Sequence, residues 1–258
     1  MSEDHQPTLT TNEWHSWFSV QAGWTQATRS WLYEQAGLAE ARRVLEVGCG
    51  TGVIASELIR CGAGNVWGLD IDTEMLVGAR DCERACTLVQ GDGHSLPFPD
   101  NCFDIVVCHY LLLWLKDPAR GVEEMARVVR QAGSVLACAE PDYGGRIDHP
   151  PELVELGRLQ AKSLRRQGAK PEIGRQLGEL FSAAGLQTTV GVMAGTWDLP
   201  GSPDDGFEAE WRMRERDLAG LIEKKELHRL RSVDRQALEK GRRTLFVPTF
   251  YAIGRKAV

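Results

Sequence analysis

Short apolar runs alternate with amphipathic segments along the first half of the chain. The apolar runs predict strands at residues 43–47, 65–69, 86–90, 103–108 and 133–139. Helical spacing of apolar residues predicts helices at 53–61, 73–80 and 118–130. This alternation predicts βαβ units and a parallel sheet that helices cover on both faces. A further helix is predicted at 173–184, followed by two long strands at 186–199 and 244–254.

The first predicted strand runs straight into a glycine-rich turn. Residues 44–52 read Val-Leu-Glu-Val-Gly-Cys-Gly-Thr-Gly, and Asp70 closes the next apolar run. Glycine tolerates positive φ and has no Cβ, so such a turn brings its backbone close to a ligand. Asp70 is placed to accept hydrogen bonds from both hydroxyls of a ribose. The pattern therefore predicts a site for an adenosine-type cofactor.

The spacing of the glycines bears on which cofactor this is. Dinucleotide-binding dehydrogenases carry Gly-x-Gly-x-x-Gly and an acidic residue about 20 positions later. In this chain Val53 stands at the third glycine place, and the glycines fall at alternate positions, Gly48, Gly50 and Gly52. The turn by itself leaves both classes of cofactor open.

Further motifs follow in a fixed order. They are Gly68-Leu69-Asp70, Gly91-Asp92-Gly93, Leu-Pro-Phe-Pro-Asp-Asn-Cys-Phe-Asp at 96–104, and the segment 124–133. Together with the turn they resemble the class I S-adenosylmethionine-dependent methyltransferases, within the ubiquinone-biosynthesis-type (type 11) small-molecule group. The resemblance covers about residues 40–140. It implies S-adenosylmethionine as cofactor and an α/β, Rossmann-like sheet of seven mostly parallel strands with helices on both faces and an antiparallel last hairpin.

The resemblance also implies roles for particular residues. It places Gly48 and Gly50 against the methionine part of the cofactor and Asp70 on the ribose. Asp92 would accept the exocyclic amino group of adenine, and Glu46 would help to orient the cofactor's amino end. The full set expected at the cofactor is Glu46, Gly48, Cys49, Gly50, Asp70, Ile71, Asp92, Gly93, His94 and His109.

Two segments lie outside the resemblance. Residues 1–39 carry aromatic side chains at helical spacing, namely Trp14, Trp17, Phe18, Trp24 and Trp31. They predict either a helix pair packed onto the domain or an aromatic lid over the methyl-donor site. Residues 201–241 are charged with helical periodicity and are predicted to form a helical cap inserted between the last two strands. The cofactor-binding domain would then comprise 40–200 and 242–258.

Methyl transfer needs an in-line approach of the nucleophile and exclusion of water, and a hydroxyl acceptor also needs a base. The candidate bases are His15, His109, Glu140, Asp142 and His149, of which the first three are preferred. The candidate walls of an acceptor site are Trp17, Trp24, Tyr110, Trp114, Tyr143 and Trp211.

Charge and composition favour a small-molecule substrate. The formal net charge is −6 and the pI is near 5.6, whereas nucleic-acid or anionic-membrane binding calls for a basic surface. The locally basic stretch 158–175 is the best argument for an anionic substrate. With no apolar run near 20 residues and a polar start, the expected location is the cytoplasm. No metal is assigned, and the oligomeric state is left open.

The leading hypothesis is a methyltransferase for a small molecule, with oxygen, nitrogen, carbon and sulfur acceptors all open. A regulatory protein that binds the cofactor without turnover is the alternative from another class. RNA or protein methylation ranks lower, as does a nicotinamide-dependent dehydrogenase. Methylation of nucleobase amino groups is disfavoured, because the end of the fourth strand reads Cys108-His109-Tyr110-Leu111 and lacks the Asn/Asp-Pro-Pro-Tyr/Phe motif of those enzymes.

Overall fold

A computed structural model describes residues 9–82, 86–195 and 201–258. Its main sheet has seven strands in the order β3-β2-β1-β4-β5-β9-β7. Its parallel strands are β1 (Arg43–Val47), β2 (Asn65–Asp70), β3 (Thr87–Gln90), β4 (Phe103–Cys108) and β5 (Val129–Pro141), with β3 at one edge. β9 (Thr249–Lys256) pairs antiparallel with both β5 and β7 (Leu186–Val192). The expected Rossmann-like architecture is confirmed.

Helices cover both faces of this sheet. The helices of the described residues are α1 (Thr11–Ala36), α2 (Val53–Arg60), α3 (Thr73–Cys82), α4 (Pro118–Val128), α5 (Val154–Arg166), α6 (Leu177–Ala183), α7 (Asp205–Asp217) and α8 (Lys224–Glu239), of which α7 and α8 pack in a separate core. Because side chains alternate along a strand, Leu45 packs in the core with α4 and α6, while Val44 packs in the core with α1 and α2.

The aromatic N-terminal segment forms one helix, so the predicted helix pair is wrong. α1 has 26 residues and opens with a capping box between Thr10 and Glu13. It ends at Gly37, which is left-handed with φ 70°. Gly23 in its middle is exposed and does not interrupt it. None of the described helices, α1 included, is long and apolar enough to cross a membrane.

Several predicted boundaries shift in the structure. β5 continues to Pro141, so Glu140 lies within the strand and not after it. The long strand predicted at 244–254 is divided at Pro248, which has no N–H for a ladder, into β8 (Thr244–Phe246) and β9. The helix predicted at 173–184 begins as a 3₁₀ turn at Ile173–Gln176. The last residues of the strand predicted at 186–199, from 196 onward, lie outside the described residues.

The cap is larger than the sequence predicted. Helices α7 and α8 share an apolar core with Leu153 and Leu156, which lie at the start of α5. β8 pairs with β6 (Ile147–His149) in a small second sheet. Residues that follow β5 therefore pack with the insertion that precedes β9. A boundary at residue 201 assigns too little of the chain to the cap.

Candidate cofactor and acceptor site

The carboxyl ends of three neighbouring strands meet at one edge of the sheet. Val47 at the end of β1 is in register with Leu69 on β2 and with Cys108 on β4. Gly48 and His109, which follow β1 and β4, therefore stand beside Asp70, the last residue of β2. Open parallel sheets bind their ligands at this edge, so the search for a site begins here.

The glycine turn adopts a backbone that few other residues accept. Gly48, Gly50 and Gly52 have φ of 75°, 49° and 80°. The N–H groups of Gly48 and Cys49 donate to the Leu69 carbonyl at 2.7 and 3.0 Å. These bonds hold the turn against the end of β2, and Gly52 leads directly into α2.

Asp70 is held beside the turn by backbone donors. Its Oδ2 accepts the Gly50 N–H at 2.8 Å, and its Oδ1 accepts the Asp72 N–H at 3.0 Å. Neighbouring Ile71 is 66% exposed, an apolar surface next to a carboxylate. An adenosine needs this combination, a hydrogen-bond acceptor for its ribose and an apolar face for its base.

The segment after β3 presents a second carboxylate. Asp92 Oδ1 accepts hydrogen bonds from the His94 N–H at 2.9 Å and from His94 Nδ1 at 2.6 Å. These donors lower the pKa of Asp92, the backbone bond being the larger cause. His94 Nε2 in turn accepts the Asp117 N–H at 3.2 Å. Asp92, Gly93 and His94 thus form a compact, ordered corner two strands away from the glycine turn.

Glu46 is the buried carboxyl group nearest to the turn in sequence. It is 2% exposed, and its Oε2 has no hydrogen-bond partner among the described residues. Burial raises the pKa of Glu46 well above its ordinary value, and the negative charge of Asp70 raises it further. An ammonium group would satisfy this oxygen, so Glu46 fits the amino end of a methionine-type cofactor.

The N-terminal half of α1 lies across the turn. A Cβ built on Gly50 would stand 3.0 Å from Phe18 Cε2, and one built on Gly78 would meet Thr11. His15 Nδ1 is 3.0 Å from Thr51 Oγ1, at the turn itself. Trp14 stacks on Phe18 and lies under the guanidinium of Arg216 on α7, 4.8 Å from its ring centroid. Helix α1 is therefore in contact with both the glycine turn and α7.

The second half of α1 is anchored by buried polar contacts that sequence reasoning missed. Arg29 is fully buried, and its guanidinium donates to both carboxylate oxygens of Glu57 on α2 at 2.8 and 2.5 Å. Thr25 Oγ1 lies 2.9 Å from His109 Nε2. The available signal was the four-residue spacing of Thr25 and Arg29, which puts both on one helix face. It does not reveal their partners.

Two predicted bases are corrected by the structure. Glu140 is fully buried, and its carboxyl group accepts the N–H groups of Leu111, Leu112 and Leu113 at 3.0, 2.8 and 3.2 Å. Burial raises the pKa of Glu140 to about 8. Asp142 is paired through both oxygens with Arg175 at 2.6 Å. Neither carboxyl group is open to a substrate, so both hold loops in place.

The predicted aromatic walls divide into two sets. Trp211 is wrong as a substrate contact, because it is fully buried in the cap core and its indole N–H donates to Asp234 at 2.8 Å. Trp24 and Trp114 are 55% and 47% exposed, and Trp17 packs edge-on against Trp24. The remaining candidates keep partly open rings, and these are Trp17, Trp24, Tyr110, Trp114 and Tyr143.

The segment after β4 completes the site. Tyr110 has φ 51°, a left-handed conformation that is uncommon outside glycine, and its N–H donates to Ala139 at 2.9 Å. The bend turns Leu111 back toward the glycine turn, where its Cδ1 would lie 2.7 Å from a Cβ on Gly48. A side chain at residue 48 would therefore clash with Leu111. His149, in β6, is exposed and belongs to the cap's small sheet.

Comparison with known proteins shows that the part of the chain that carries this site is similar to methyltransferases. The family model described as a methyltransferase domain matches residues 45–137. An uncharacterized methyltransferase of Schizosaccharomyces pombe is 32% identical over 169 residues, 60% of this chain and 60% of that protein. A demethylmenaquinone methyltransferase of Corynebacterium kroppenstedtii is 39% identical over 115 residues, 45% of this chain and 47% of that protein. The chain thus spans only about half to three fifths of these two relatives.

Solved structures agree on the fold. A putative methyltransferase from Bacillus halodurans superposes with a TM-score of 0.62, at 18% identity, over 88% of this chain and 97% of the other. The family match covers the turn and the strands up to β5, the part of the chain on which the resemblance rested. Residues 45–137 therefore match a methyltransferase domain, and the two methyltransferases named above are similar to part of this chain.

Proposed function

We propose that the protein transfers the methyl group of S-adenosylmethionine to a small-molecule acceptor. The observation that carries this proposal is the glycine turn between two carboxyl groups, Asp70 pinned beside it and Glu46 buried with an unpartnered oxygen. When bound, the cofactor supplies an electrophilic methyl group on a sulfonium. What remains for the protein is to bind the cofactor, to position the acceptor and to exclude water.

The residues around the turn suit these tasks. Glu46 would hold the cofactor's amino end, Asp70 its ribose and Ile71 its adenine, with Asp92 and the backbone after it at the adenine edge. The lid and the cap would close the site from water, because Trp14 on α1 already contacts Arg216 on α7. A small acceptor fits such an enclosed site better than a macromolecule does. The net charge of −6 also disfavours nucleic acid.

The alternative is a protein that binds the cofactor without turnover. The close contact of Phe18 with Gly50 favours it in one respect, because the Phe18 ring covers part of the turn. Isothermal titration with S-adenosylmethionine and with S-adenosylhomocysteine tests both ideas at once. Binding of either ligand supports the cofactor site, and release of S-adenosylhomocysteine with an acceptor from a screen then separates an enzyme from a binder. A folded protein that binds neither ligand would refute the proposal.

Replacing Asp70 by alanine should weaken S-adenosylmethionine binding by about 1.5–3 kcal/mol, the range for a hydrogen bond to a charged group. The measurement is calorimetric titration, with the melting temperature as a check of folding. Asp70→Asn is the matched control, because it keeps one acceptor oxygen for the Gly50 N–H and should lose less affinity. Wild-type affinity in folded Asp70→Ala would show that Asp70 does not contact the ribose.

Cofactor binding should release a proton from Glu46. The raised pKa keeps this buried carboxyl group protonated in the free protein at pH values below it, whereas an ammonium partner favours the carboxylate. The bound state then holds fewer protons, so affinity should increase with pH in this range. Titrations at one pH in buffers of different ionisation enthalpy measure the release. Glu46→Gln should abolish it, and equal release by this variant would assign the proton to another group.

Replacing Phe18 by alanine should tighten cofactor binding several-fold. The ring packs on the glycine turn, where the cofactor is expected to bind, so it must move before the ligand enters, and this lowers the apparent affinity. Trp24→Ala removes an exposed ring from the same helix and serves as the control. Weaker binding by Phe18→Ala would instead make Phe18 a wall of the filled site.

A further inference from the structure

A buried polar chain joins the lid helix to the first residue after β4. Thr25 Oγ1 is 2.9 Å from His109 Nε2. The Arg29 guanidinium contacts the same Thr25 oxygen and has one nitrogen 3.4 Å from His109 Nε2. Thr25 and Arg29 are both buried. Thr25 and Arg29 therefore both approach the same nitrogen, Nε2, of the His109 imidazole.

The hydrogen-bond donors around His109 determine which nitrogen of its ring carries the proton. A guanidinium only donates hydrogen bonds, so Arg29 donates to Thr25 Oγ1 and, at 2.8 Å, to the Ala22 carbonyl. The single Thr25 hydroxyl proton then has His109 Nε2 at 2.9 Å and the Ala22 carbonyl at 3.4 Å. A proton on Nε2 would also point at the guanidinium N–H. Nε2 is therefore the acceptor, and a neutral ring carries its proton on Nδ1.

The surroundings keep this ring neutral. Burial lowers the pKa of His109 well below its ordinary value, and the positive charge of Arg29 lowers it further. Glu57, a carboxylate close to these residues, is paired with Arg29. Nδ1 has no hydrogen-bond partner among the described residues. Since His109 stands next to Gly48 at the edge of the sheet, this N–H is left for a ligand.

We propose that His109 is a fixed hydrogen-bond donor to the methyl acceptor and not its general base, with Thr25 as the positioning residue. The proposal rests on the proposed function. It replaces the base role predicted from the sequence, because one ring nitrogen already accepts a hydrogen bond and the other already carries its proton. Asn or Gln at residue 109 could keep a donor, whereas an aliphatic side chain could not.

A fixed N–H donor selects a class of acceptor. It favours a molecule with a carbonyl or anionic oxygen beside or at the methylated atom, such as an enol or a phenol. The acceptor's proton leaves to solvent, and the resulting anion is stabilised by the Nδ1–H donor. The anion's electron pair then forms the new bond to the methyl carbon, while the pair of the breaking carbon–sulfur bond stays on sulfur. This methyl-transfer step needs no oxidant and no metal ion.

The ring's proton can be observed directly. Histidine-labelled protein contains six histidines, and His109→Gln identifies the resonances of residue 109 by their loss. In ¹⁵N NMR spectra the proposal expects a protonated Nδ1 and an unprotonated Nε2 from pH 6 to pH 8. A proton on Nε2, or titration of His109 within this range, would overturn the proposal.

Variants of Thr25 test the positioning. Thr25→Val removes the hydroxyl with little change of shape and should produce a mixture of tautomers, whereas Thr25→Ser should restore the Nδ1–H form. Thr28→Val on the same helix is the matched control and should leave the spectrum unchanged. If His109 keeps its wild-type tautomer in Thr25→Val, Thr25 does not position the ring, and the proposal is contradicted.

The donor role has its own kinetic signature. With the acceptor identified by the screen, His109→Asn, which keeps an N–H near the place of Nδ1, should retain the pH profile of the wild type. His109→Leu should lose about tenfold in kcat, as expected for one hydrogen bond in the transition state. Equal loss by both variants overturns the donor role. Failure to bind S-adenosylhomocysteine is a separate result, which refutes the proposed function and with it this assignment to the acceptor.

Discussion

Replacing Glu57 by alanine should lower the free energy of unfolding by about 3–5 kcal/mol, the cost of breaking a buried ion pair from one side. The Arg29 side chain is 1% exposed and donates to both oxygens of Glu57. Without Glu57, its charge keeps only a hydroxyl and a carbonyl as partners. Chemical denaturation of wild type and variant measures the difference.

The chain offers a matched control for this experiment. Glu226 pairs with Arg229 at 2.6 Å, but their side chains are 43% and 51% exposed. Water screens such a pair, so Glu226→Ala should lower the free energy of unfolding far less than Glu57→Ala does. If both variants lost equally little stability, the Arg29 pair would not be the anchor of the lid helix.

Replacing Glu140 by alanine should lower the free energy of unfolding by about 3 kcal/mol or more. The variant leaves three N–H groups, from Leu111 to Leu113, without their acceptor inside the protein, and each orphaned group costs about 1–3 kcal/mol. The segment after β4 would also lose its bend, so cofactor affinity should decrease as well. Denaturation and calorimetric titration measure the two effects.

The variant Glu140→Gln separates hydrogen bonding from charge. It keeps one acceptor oxygen and should cost less than alanine. Because the pKa of Glu140 is raised to about 8, the folded wild type holds a proton that the unfolded chain has lost above pH about 4.5. The stabilising contribution of this group is therefore lost as pH rises toward and through 8. The stability of the wild type relative to Glu140→Gln should decrease over that range, and a constant difference would contradict the raised pKa.

The two halves of α1 are held by contacts of different kinds. The second half of α1 is held by Arg29 and Thr25 through buried polar contacts, whereas the first half meets the turn mainly through Phe18 and His15. Breaking buried polar contacts costs more free energy than moving an aromatic ring away from the turn. Opening at the first half, with the second half in place, would admit the cofactor while His109 keeps its orientation.

The local sequence pattern was enough to predict the succession of strands and helices along the first half of the chain and the turn that follows the first strand. Periods of two and 3.6 residues arise from the geometry of single elements, so they can be read without knowing the neighbours. The glycine turn and Asp70 belong to one βαβ unit, and the register of β1 and β2 brings them together. The confirmed sheet and the match of residues 45–137 to a methyltransferase domain rest on such short-range signals.

The sequence by itself therefore determined the βαβ order, the glycine turn and the resemblance to methyltransferases, whereas the tertiary structure decided the use of the side chains. Glu140 follows an apolar run and looked like a base, but its position inside β5 turns it to three backbone donors. Thr25 meets His109 across 84 residues of chain. No spacing rule links residues so far apart, because their contact depends on how a helix packs against a sheet.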